Sequence, residues 1–381
     1  MKRFAFINHC LNSKQLIGIF PAPLRNKVIR QWVRKFNSWL PPRTYLRFGP
    51  VSSMTGSTVE GIGILSPLLP QDFVANSHGR VLSHLQRAVN IAESYGAGIV
   101  GLGGFTSVFG NEGAELAETS RVALTSGNTY TAALAIEGIR RAVQLLGRNL
   151  PECRLAVVGA TGDIGSVCTK VLGKEMRSVR LIARNEKRLE MLAQEVSAIG
   201  QPRVEIVRRI SDGIKEAEVI LCAASSVTTI IEPEDLSSGT IICDIGYPAN
   251  VAKSVLDMRN DVFIFEGGLA SWSSYDGLCR DGELSEFSPP RTLHGCFAET
   301  IILALESRFE NFSLGRGNIT KARIGEISEA ARKHGFSLAP FSYGGREYFE
   351  SDVFRITGGT KSYDDGDTLS SREHTTNKSY S

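Results

Sequence analysis

The sequence predicts an α/β protein with a doubly wound parallel sheet, and two observations carry this prediction. From Arg154 onward, short apolar runs alternate with amphipathic helical segments: RLAVVG, SVRLIAR, RVEIV, EVILCAAS, TIICDIG and VFIFEGG. Near-continuous apolar strands separated by helices are typical of a parallel sheet covered on both faces. A glycine triplet also occupies the turn after the first run. Together they predict a Rossmann-type dinucleotide-binding domain over residues 151–290.

The segments on either side predict an amino-terminal substrate domain and carboxy-terminal helices. In residues 1–150, VLSHLQRAVNIAESYGAGIVGLGG and TYTAALAIEGIRRAVQLLG have helical apolar spacing, and Gly147 followed by Pro151 marks an end. In residues 291–342, CFAETIILALESRF and ITKARIGEISEAARKHGF predict two further helices. Apolar residues become rare afterwards, so we expect residues 343–381 to form a disordered tail.

Composition and charge exclude several classes of protein. A chain of 381 residues with 42% hydrophobic residues can bury a large core, and its length favours two domains. A net charge of +3 without a basic stripe argues against a nucleic-acid surface. The seven cysteines are scattered, without CxxC or zinc-like spacing, so we expect a reducing cytoplasmic setting and no metal. His9 and Lys14 interrupt the opening apolar stretch, which argues against a signal peptide, and no run reaches membrane-spanning length.

The segment VVGATGDIGSVCTKVLGKEM predicts the nucleotide site. Gly159, Gly162 and Gly165 would give a tight turn, room for a pyrophosphate and close helix packing. The N–H groups of the following helix would face the phosphates. An ordinary flexible turn is the alternative, but strand, helix and next strand all fall where a nucleotide site needs them. The predicted cofactor-binding loop comprises Gly159, Ala160, Thr161, Gly162, Asp163, Ile164, Gly165 and Ser166.

Arg184 and Arg188 favour NADPH over NADH. They lie at and just after the end of the second strand, where an NAD site usually has Asp or Glu. Guanidinium groups suit a 2′-phosphate, although both arginines could also be solvated charges at a helix start. Ala224 and Ser225 after the fourth strand, and Gly246 with Tyr247 after the fifth, lie at strand ends where such sheets bind ligands.

Cys296 is the candidate reacting group. It follows Gly295 at the predicted start of a helix, where the helix dipole would lower the thiol pKa. His294, two residues earlier, would assist or orient it. The alternative is that Cys296 is a small buried hydrophobic residue, and the residue pattern alone leaves both open.

The segments LGGFTSVFG and SGNTYTAA are a candidate substrate-binding region. Hydroxyl, amide and flexible glycine groups could face the cofactor there, or the same residues could serve only as helix caps and turns. The candidate substrate-binding residues are Gly104, Phe105, Thr106, Ser107, Asn128 and Thr129.

These motifs in combination resemble a known family. LGGFTS, TSGNTYTAA, RLAVVGATGDIGS, LIARNEKRL, DIGYPAN, CFAE, ENFSLGRGNIT and ARKHGF occur in the order typical of the long-chain fatty acyl-[acyl-carrier-protein] reductases of cyanobacteria. The resemblance extends from about residue 85 to 340 and is looser over the first 80 residues.

The resemblance implies NADPH-dependent reduction of a fatty acyl thioester to a fatty aldehyde through an acyl-cysteine intermediate. The family's nucleophile matches Cys296, and its nucleotide loop matches Gly159 to Ser166. Acyl-carrier protein is the implied donor, with acyl-coenzyme A as the alternative, and a fatty product implies transient membrane contact. The basic residues that could face an acidic carrier protein, or simply form a solvated helix face, are Arg25, Lys27, Arg30, Arg34 and Lys35.

Two other functions fit the same nucleotide fold. One is an NADP-dependent dehydrogenase of a small carbonyl or amino-acid substrate without covalent catalysis. The other is a catalytically silent NADP(H)-binding sensor, because a fold alone does not establish turnover.

Overall fold

The structure is a computed structural model that describes residues 1–18, 36–199, 202–274 and 292–357. The basic residues from Arg25 to Lys35 proposed to face a carrier protein, and Cys279, lie outside these ranges. Within them, no helix has both the length and the apolar character needed to cross a membrane.

The amino-terminal half contains a mixed sheet that the sequence patterns did not predict. Its order is β2-β3-β1-β4-β5, with β2 antiparallel to β3 and the other pairs parallel. The strands are β1 (Lys2–His9), β2 (Arg43–Ser52), β3 (Thr58–Ser66), β4 (Ile99–Leu102) and β5 (Ala123–Thr125). The associated helices are α1 (Ser13–Gly18), α2 (Asp72–Ala75), α3 (His78–Tyr95), α4 (Phe105–Glu112) and α5 (Ala114–Ala117).

The helical interpretation of residues 81–104 is wrong beyond Tyr95. Gly96 adopts a left-handed conformation with φ of +80°, and its N–H closes the last turn of α3. The following apolar residues form β4, whose four residues are all buried. A continuous apolar stretch therefore divides into a helix and a strand at one glycine.

Helix α6 (Asn128–Leu145) lies between the two halves of the protein, and its prediction is confirmed. Ile136, Ile139 and Val143 pack into the core of the dinucleotide-binding domain. Tyr130 and Leu134 pack into the core that holds the amino-terminal sheet. Because both faces are covered, this helix fixes the two halves against one another.

The second sheet is fully parallel, and the six predicted strands are confirmed. Its order, β11-β10-β9-β6-β7-β8, is the doubly wound order with the change of direction between β6 and β9. The strands are β6 (Arg154–Val158), β7 (Ser178–Ile182), β8 (Arg203–Ile206), β9 (Val219–Cys222), β10 (Ile241–Asp244) and β11 (Phe263–Glu266). The helices are α7 (Asp163–Leu172), α8 (Glu186–Ile199), α9 (Ile210–Ile214) and α10 (Lys253–Met258).

After this domain the chain returns to the amino-terminal half. Helix α11 (Gly295–Leu305) packs Ile301 and Ile302 into one core with Phe4 and Ile99. The neighbouring elements are β12 (Leu269–Trp272), β13 (Thr292–His294), α12 (Lys321–Lys333) and β14 (Phe336–Leu338). The strands β12, β13 and β14 form an antiparallel sheet. The predicted carboxy-terminal helices therefore complete the amino-terminal domain.

The prediction of disorder from residue 343 is wrong for residues 343–357. The chain forms β15 (Ser342–Tyr343), β16 (Arg346–Glu347) and α13 (Glu350–Ile356). The Tyr343 hydroxyl donates to Asp244 at 2.8 Å, and the Tyr348 hydroxyl accepts the Ile264 N–H at 3.1 Å. A few anchoring side chains order this segment despite its low apolar content. Residues 358–381 lie outside the described part of the chain.

Candidate active site

The loop between β6 and α7 has the backbone geometry of a dinucleotide site. Gly159 has φ of +84°, and a Cβ there would lie 2.5 Å from the Ala223 carbonyl oxygen. A Cβ on Gly165 would overlap the Gly159 carbonyl. At Gly162 the nearest atom to such a Cβ is 3.3 Å away. Glycine is therefore needed at the turn and at the packing position, and the first N–H groups of α7 point along the helix axis as a phosphate requires.

In the predicted cofactor loop, the side chain of Asp163 is engaged within the protein. Asp163 is buried, and its Oδ1 accepts the Gly317 N–H at 2.7 Å. Burial raises the pKa of this carboxyl group. The Asp163 side chain thus fastens the loop at residues 313–318 to the start of α7, which leaves its backbone to face a phosphate.

Arg184 and Arg188 are exposed on the edge where β7 ends. The Asn185 Oδ1 accepts the Arg188 N–H at 3.0 Å, which caps the first turn of α8. Arg188 also interacts electrostatically with Glu112, at the end of α4. Its guanidinium therefore lies on the side of the nucleotide domain that faces the amino-terminal half.

The loops after β9 and β10 are held together by two polar side chains that the sequence analysis did not single out. The Asn250 amide bonds both the N–H and the carbonyl of Ala224, at 3.0 Å each. Asp244 accepts the N–H groups of Gly246 and Asn250 at 2.9 Å. Burial raises the pKa of Asp244 to about 6. Ala224, Ser225 and Gly246 thus lie on loops of fixed shape at the edge that carries Gly159.

Cys296 is the second residue of α11 and lies where the two halves meet. The residue is half-buried, and backbone N–H groups of Phe297 and Gly104 hydrogen-bond its thiol. Gly127, with φ of +73° at the start of α6, lies so close that a Cβ there would overlap the Cα and Cβ of Cys296. A thiol, backbone donors and two helix N-termini therefore converge at one point.

The expectation of a lowered thiol pKa at Cys296 is wrong. Burial raises the pKa to about 12, and the backbone N–H groups of Phe297 and Gly104 oppose this rise without overcoming it. The helix terminus acts as predicted in direction, but desolvation of the sulfur is the larger effect. The resting thiol is therefore protonated at neutral pH.

The candidate substrate-binding segment contributes its backbone to the site. The Gly104 N–H faces the Cys296 thiol, whereas the Phe105 N–H donates to His9 Nε2 at 2.9 Å. The Thr106 hydroxyl donates to the Gly103 carbonyl at 2.8 Å, and the Ser107 hydroxyl to the Gly104 carbonyl at 2.7 Å. These hydroxyls bond backbone carbonyls at the start of α4, whose N-cap residue, Gly104, makes no side-chain cap bond.

Asn128 and Thr129 join the site's elements at the start of α6. The Asn128 side chain hydrogen-bonds Asp163, and the Thr129 hydroxyl bonds the Ser313 hydroxyl at 2.5 Å. Glu299, within the CFAE motif, is fully buried and accepts the Tyr130 N–H at 2.7 Å. These three side chains hold the surroundings of Cys296 in place.

The structure gives Tyr247 aromatic and polar contacts that its place at a strand end did not reveal, and it adds Asn8, which the sequence analysis missed. The Tyr247 ring, from the loop after β10, lies 5.4 Å from the His294 ring and 6.1 Å from the His9 ring. The Tyr247 hydroxyl hydrogen-bonds the Asn8 side chain at the end of β1, and the side chain interacts electrostatically with Cys296. The sequence places Tyr247 in DIGYPAN, directly after a strand, but does not show which residues it contacts.

Comparisons with known proteins agree with a nucleotide-binding half and extend the similarity beyond it. Residues 141–266 match the family described as Shikimate / quinate 5-dehydrogenase. The Long-chain acyl-[acyl-carrier-protein] reductase of Synechococcus elongatus is 32% identical over 298 residues, covering 75% of this chain and 84% of that protein. The Glutamyl-tRNA reductase of Methanococcus maripaludis is 32% identical over 124 residues, which is 31% of either chain.

A longer relative matches almost the whole chain. The Aminotransferase PigE of a Serratia species is 33% identical over 373 residues, covering 92% of this chain but 43% of that protein. The chain therefore spans less than half the length of this relative.

The reactivity of Cys296 should depend steeply on pH. Because burial raises its pKa to about 12, we expect its alkylation by iodoacetamide to accelerate about tenfold per pH unit across roughly pH 7 to 10, since the thiolate is the reacting form. Mass spectrometry of the Cys296 peptide measures the rate, and free glutathione gives the reference profile. A plateau at or below about pH 8 would contradict the raised pKa.

The close contact at Gly127 should tolerate no side chain. We expect Gly127→Ala to lower the free energy of unfolding by about 1–2 kcal/mol for the left-handed backbone and a further 1–3 kcal/mol for overlap with Cys296. Gly345→Ala is the matched control, because Gly345 has φ of +82° and no atom within 4 Å of a Cβ. Equal losses in denaturant titrations of the two variants would show that the contact is not restrictive.

Proposed function

The chain belongs to the family of the Long-chain acyl-[acyl-carrier-protein] reductase of Synechococcus elongatus, and we propose that it reduces a long-chain fatty acyl thioester to a fatty aldehyde with NADPH, through an acyl-cysteine intermediate on Cys296. Its class is that of a Rossmann-type NAD(P)-dependent oxidoreductase. The reaction class and the covalent intermediate are the proposal.

The observation that carries the proposal is the environment of the Cys296 thiol. Cys296 is the one half-buried cysteine in the described ranges 1–18, 36–199, 202–274 and 292–357, whereas the other described cysteines are buried. Backbone N–H groups of Gly104 and Phe297 are directed at it. The same donors suit the oxyanion that forms when a thiolate attacks a thioester carbonyl. Thiol and donors thus match an acyl-transfer site.

Desolvation at Cys296 favours the acylated form. A thiolate is costly in this position, as its raised pKa indicates, whereas a thioester is neutral. Transfer of the acyl group from one thioester to another changes little in bond energy, so burial helps retain it on Cys296. His294 is the residue directly before α11, and its ring lies 5.4 Å from the Tyr247 ring, which supports an orienting role beside the nucleophile.

The nucleotide domain fits the cofactor that this reaction needs. Bound NADPH supplies the hydride. The residues that would hold it are the loop from Gly159 to Ser166 at the pyrophosphate, Arg184 and Arg188 at the 2′-phosphate, and the loops carrying Ala224, Ser225 and Gly246 near the nicotinamide end. All of them lie on the edge of the sheet that faces Cys296.

Aromatic side chains beside Cys296 provide an apolar wall for an acyl chain. Phe297 directly follows the nucleophile, and its ring lies 4.8 Å from Phe6 and 4.9 Å from Phe48. Phe4 continues the cluster, 5.7 Å from Phe48. The chain would extend over the amino-terminal sheet, away from the nucleotide.

The names of two relatives support a substrate in which the acyl group is attached to a carrier. Two of them describe reduction of an acyl group attached to a carrier, acyl-carrier protein in one case and tRNA in the other. An aminotransferase exchanges a carbonyl and an amine, so an aldehyde-forming domain suits the longer relative. We therefore take acyl-carrier protein as the donor, with acyl-coenzyme A as the alternative, and a free aldehyde as the product.

A second candidate function is an NADP-dependent dehydrogenase of a small carbonyl substrate without covalent catalysis. The match of residues 141–266 to the shikimate and quinate dehydrogenase family favours it. It predicts turnover that does not depend on Cys296, so the same experiment separates the two candidates.

Incubation of the full-length protein with palmitoyl-acyl-carrier protein, without NADPH, should add one palmitoyl group to the intact mass. Addition of NADPH should remove the adduct and release hexadecanal. Cys296→Ala should abolish both, because it removes the attacking sulfur.

Cys153→Ala is the matched control, since Cys153 is buried beside the start of β6, at the opposite edge of the sheet. It should behave as the unaltered protein does. Turnover of an acyl donor or a small carbonyl by Cys296→Ala at the rate of the unaltered protein would support the non-covalent dehydrogenase and overturn the proposal.

The preference for NADPH should depend on the two exposed arginines. We expect the double variant Arg184→Ala with Arg188→Ala to bind NADPH about 10–100-fold more weakly, because two charged hydrogen bonds to the 2′-phosphate are lost. NADH binding, measured by calorimetry, should change less than about twofold. Arg203→Ala is the control, with a side chain 81% exposed at the start of β8. Equal weakening of both cofactors would contradict the assignment.

A further inference from the structure

Tyr247 connects the two halves of the site at the nucleophile. It follows β10 in the nucleotide domain, yet its hydroxyl bonds Asn8 at the end of β1 in the amino-terminal sheet. A Cβ on Gly104 would lie 3.0 Å from the Tyr247 ring, and Gly104 is the residue whose N–H faces Cys296. The Tyr247 ring, which comes from the cofactor side, therefore packs against the residue whose N–H faces the thiol, and its side chain interacts electrostatically with Cys296.

The hydrogen bond with Asn8 has a defined direction. Asn8 Oδ1 accepts the His9 N–H at 2.9 Å, and the Asn8 amide N–H₂ group is its donor toward Tyr247. The bond from Asn8 also lowers the pKa of Tyr247, as a donor to the phenol oxygen does. The Tyr247 oxygen thus accepts a hydrogen bond from Asn8, and its own O–H group can donate to another acceptor.

We propose that Tyr247 is a catalytic residue that carries the proton of the reduction half-reaction, donating it to the acyl oxygen on Cys296 and taking it back when the aldehyde is released. This inference rests on the proposed thioester reduction. It adds a proton carrier to a reaction for which the nucleophile and backbone donors alone had been assigned.

The proposed sequence balances in atoms and electrons. The acyl carbon gains a hydride from bound NADPH, the carbonyl π pair moves to oxygen, and that oxygen takes the Tyr247 proton to give a hemithioacetal. The proton then returns to the Tyr247 phenolate while the C–S bond breaks with its electron pair on sulfur. The products are the aldehyde and the Cys296 thiolate, and Tyr247 is unchanged.

The surroundings of Tyr247 suit both directions of transfer. Burial raises its pKa, so the hydroxyl is protonated at physiological pH and a phenolate is driven to recover its proton. The Asn8 donor offsets part of the cost of the transient phenolate. His9 is not a competing acid, because burial lowers its pKa to about 4 and its ring nitrogens are engaged by Cys10 and Phe105.

The test separates the two half-reactions in Tyr247→Phe. Acylation of Cys296 by palmitoyl-acyl-carrier protein, followed by intact mass without NADPH, should stay within about threefold of the unaltered rate. Single-turnover oxidation of NADPH by the pre-acylated protein should fall about 100-fold or more, the usual effect of losing an acid catalyst.

A second measurement needs no cofactor. Decanal adds reversibly to the Cys296 thiol as a hemithioacetal, whose oxygen Tyr247 would hydrogen-bond. We expect Tyr247→Phe to bind decanal about 3–10-fold more weakly, the effect of one net hydrogen bond. Protection of Cys296 from iodoacetamide measures this affinity.

Tyr348→Phe is the matched control, because it also removes one tyrosine hydroxyl, which accepts the Ile264 N–H in β11 at 3.1 Å and lies outside the loops that carry Ala224, Ser225 and Gly246. It should retain both half-reactions within about threefold. Equal losses in both tyrosine variants, equal loss of acylation and reduction in Tyr247→Phe, or unchanged reduction and decanal binding would overturn the proton-carrier role. An absence of any acyl adduct in the unaltered protein would instead reject the proposed function itself.

Discussion

The contact between the first turns of α6 and α11 is the constraint on which the site depends. Gly127 lies against Cys296 at a distance that only glycine permits, in a left-handed conformation that glycine adopts without strain. Glu299 secures the contact from within α11, since its carboxylate accepts the hydroxyls of Thr125 at 2.5 Å and Ser313 at 2.7 Å. A buried carboxyl group is costly unless its acceptors are used, so this one restricts the helices to a single arrangement. The position of the thiol follows from it.

The nucleotide-binding half could be predicted because its signals are local. Each strand is buried on both faces and therefore reads as a short apolar run, and the glycine turn follows the first of them. The amino-terminal sheet has no such signal. β1 opens with charged residues, β2 is half-exposed at the edge, and β4 merges with the helical spacing of α3. Its core is completed by α11, almost 200 residues after β4, a contact that no local pattern reveals.

The site residues also differ in whether a local sequence signal or a contact between distant segments determines their position. Cys296 and the glycine loop were predicted because each sits at a recognisable start of a helix. Asn8, Tyr247 and Glu299 depend on elements that are distant in sequence, so their roles emerge only when β1, β10 and α11 are brought together. Thr106 and Ser107 are the opposite case, since their hydroxyls bond carbonyls only three residues earlier in the chain. The thiol pKa was mispredicted because the helix terminus is a local feature and burial is not.

The return of the chain from the nucleotide domain to α11 has a consequence for synthesis. Residues 1–125 leave the ribosome long before α11, so the apolar surface around Phe4 and Ile99 waits for Ile301 and Ile302. Strands β6 to β11 occupy one continuous stretch and can assemble as they emerge. Vectorial folding thus forms the six-stranded parallel sheet before the surroundings of Cys296, and the segment with Tyr343 and Tyr348 joins that sheet last. A nascent chain can therefore form the glycine turn of its nucleotide loop before it holds the thiol that we propose as the nucleophile.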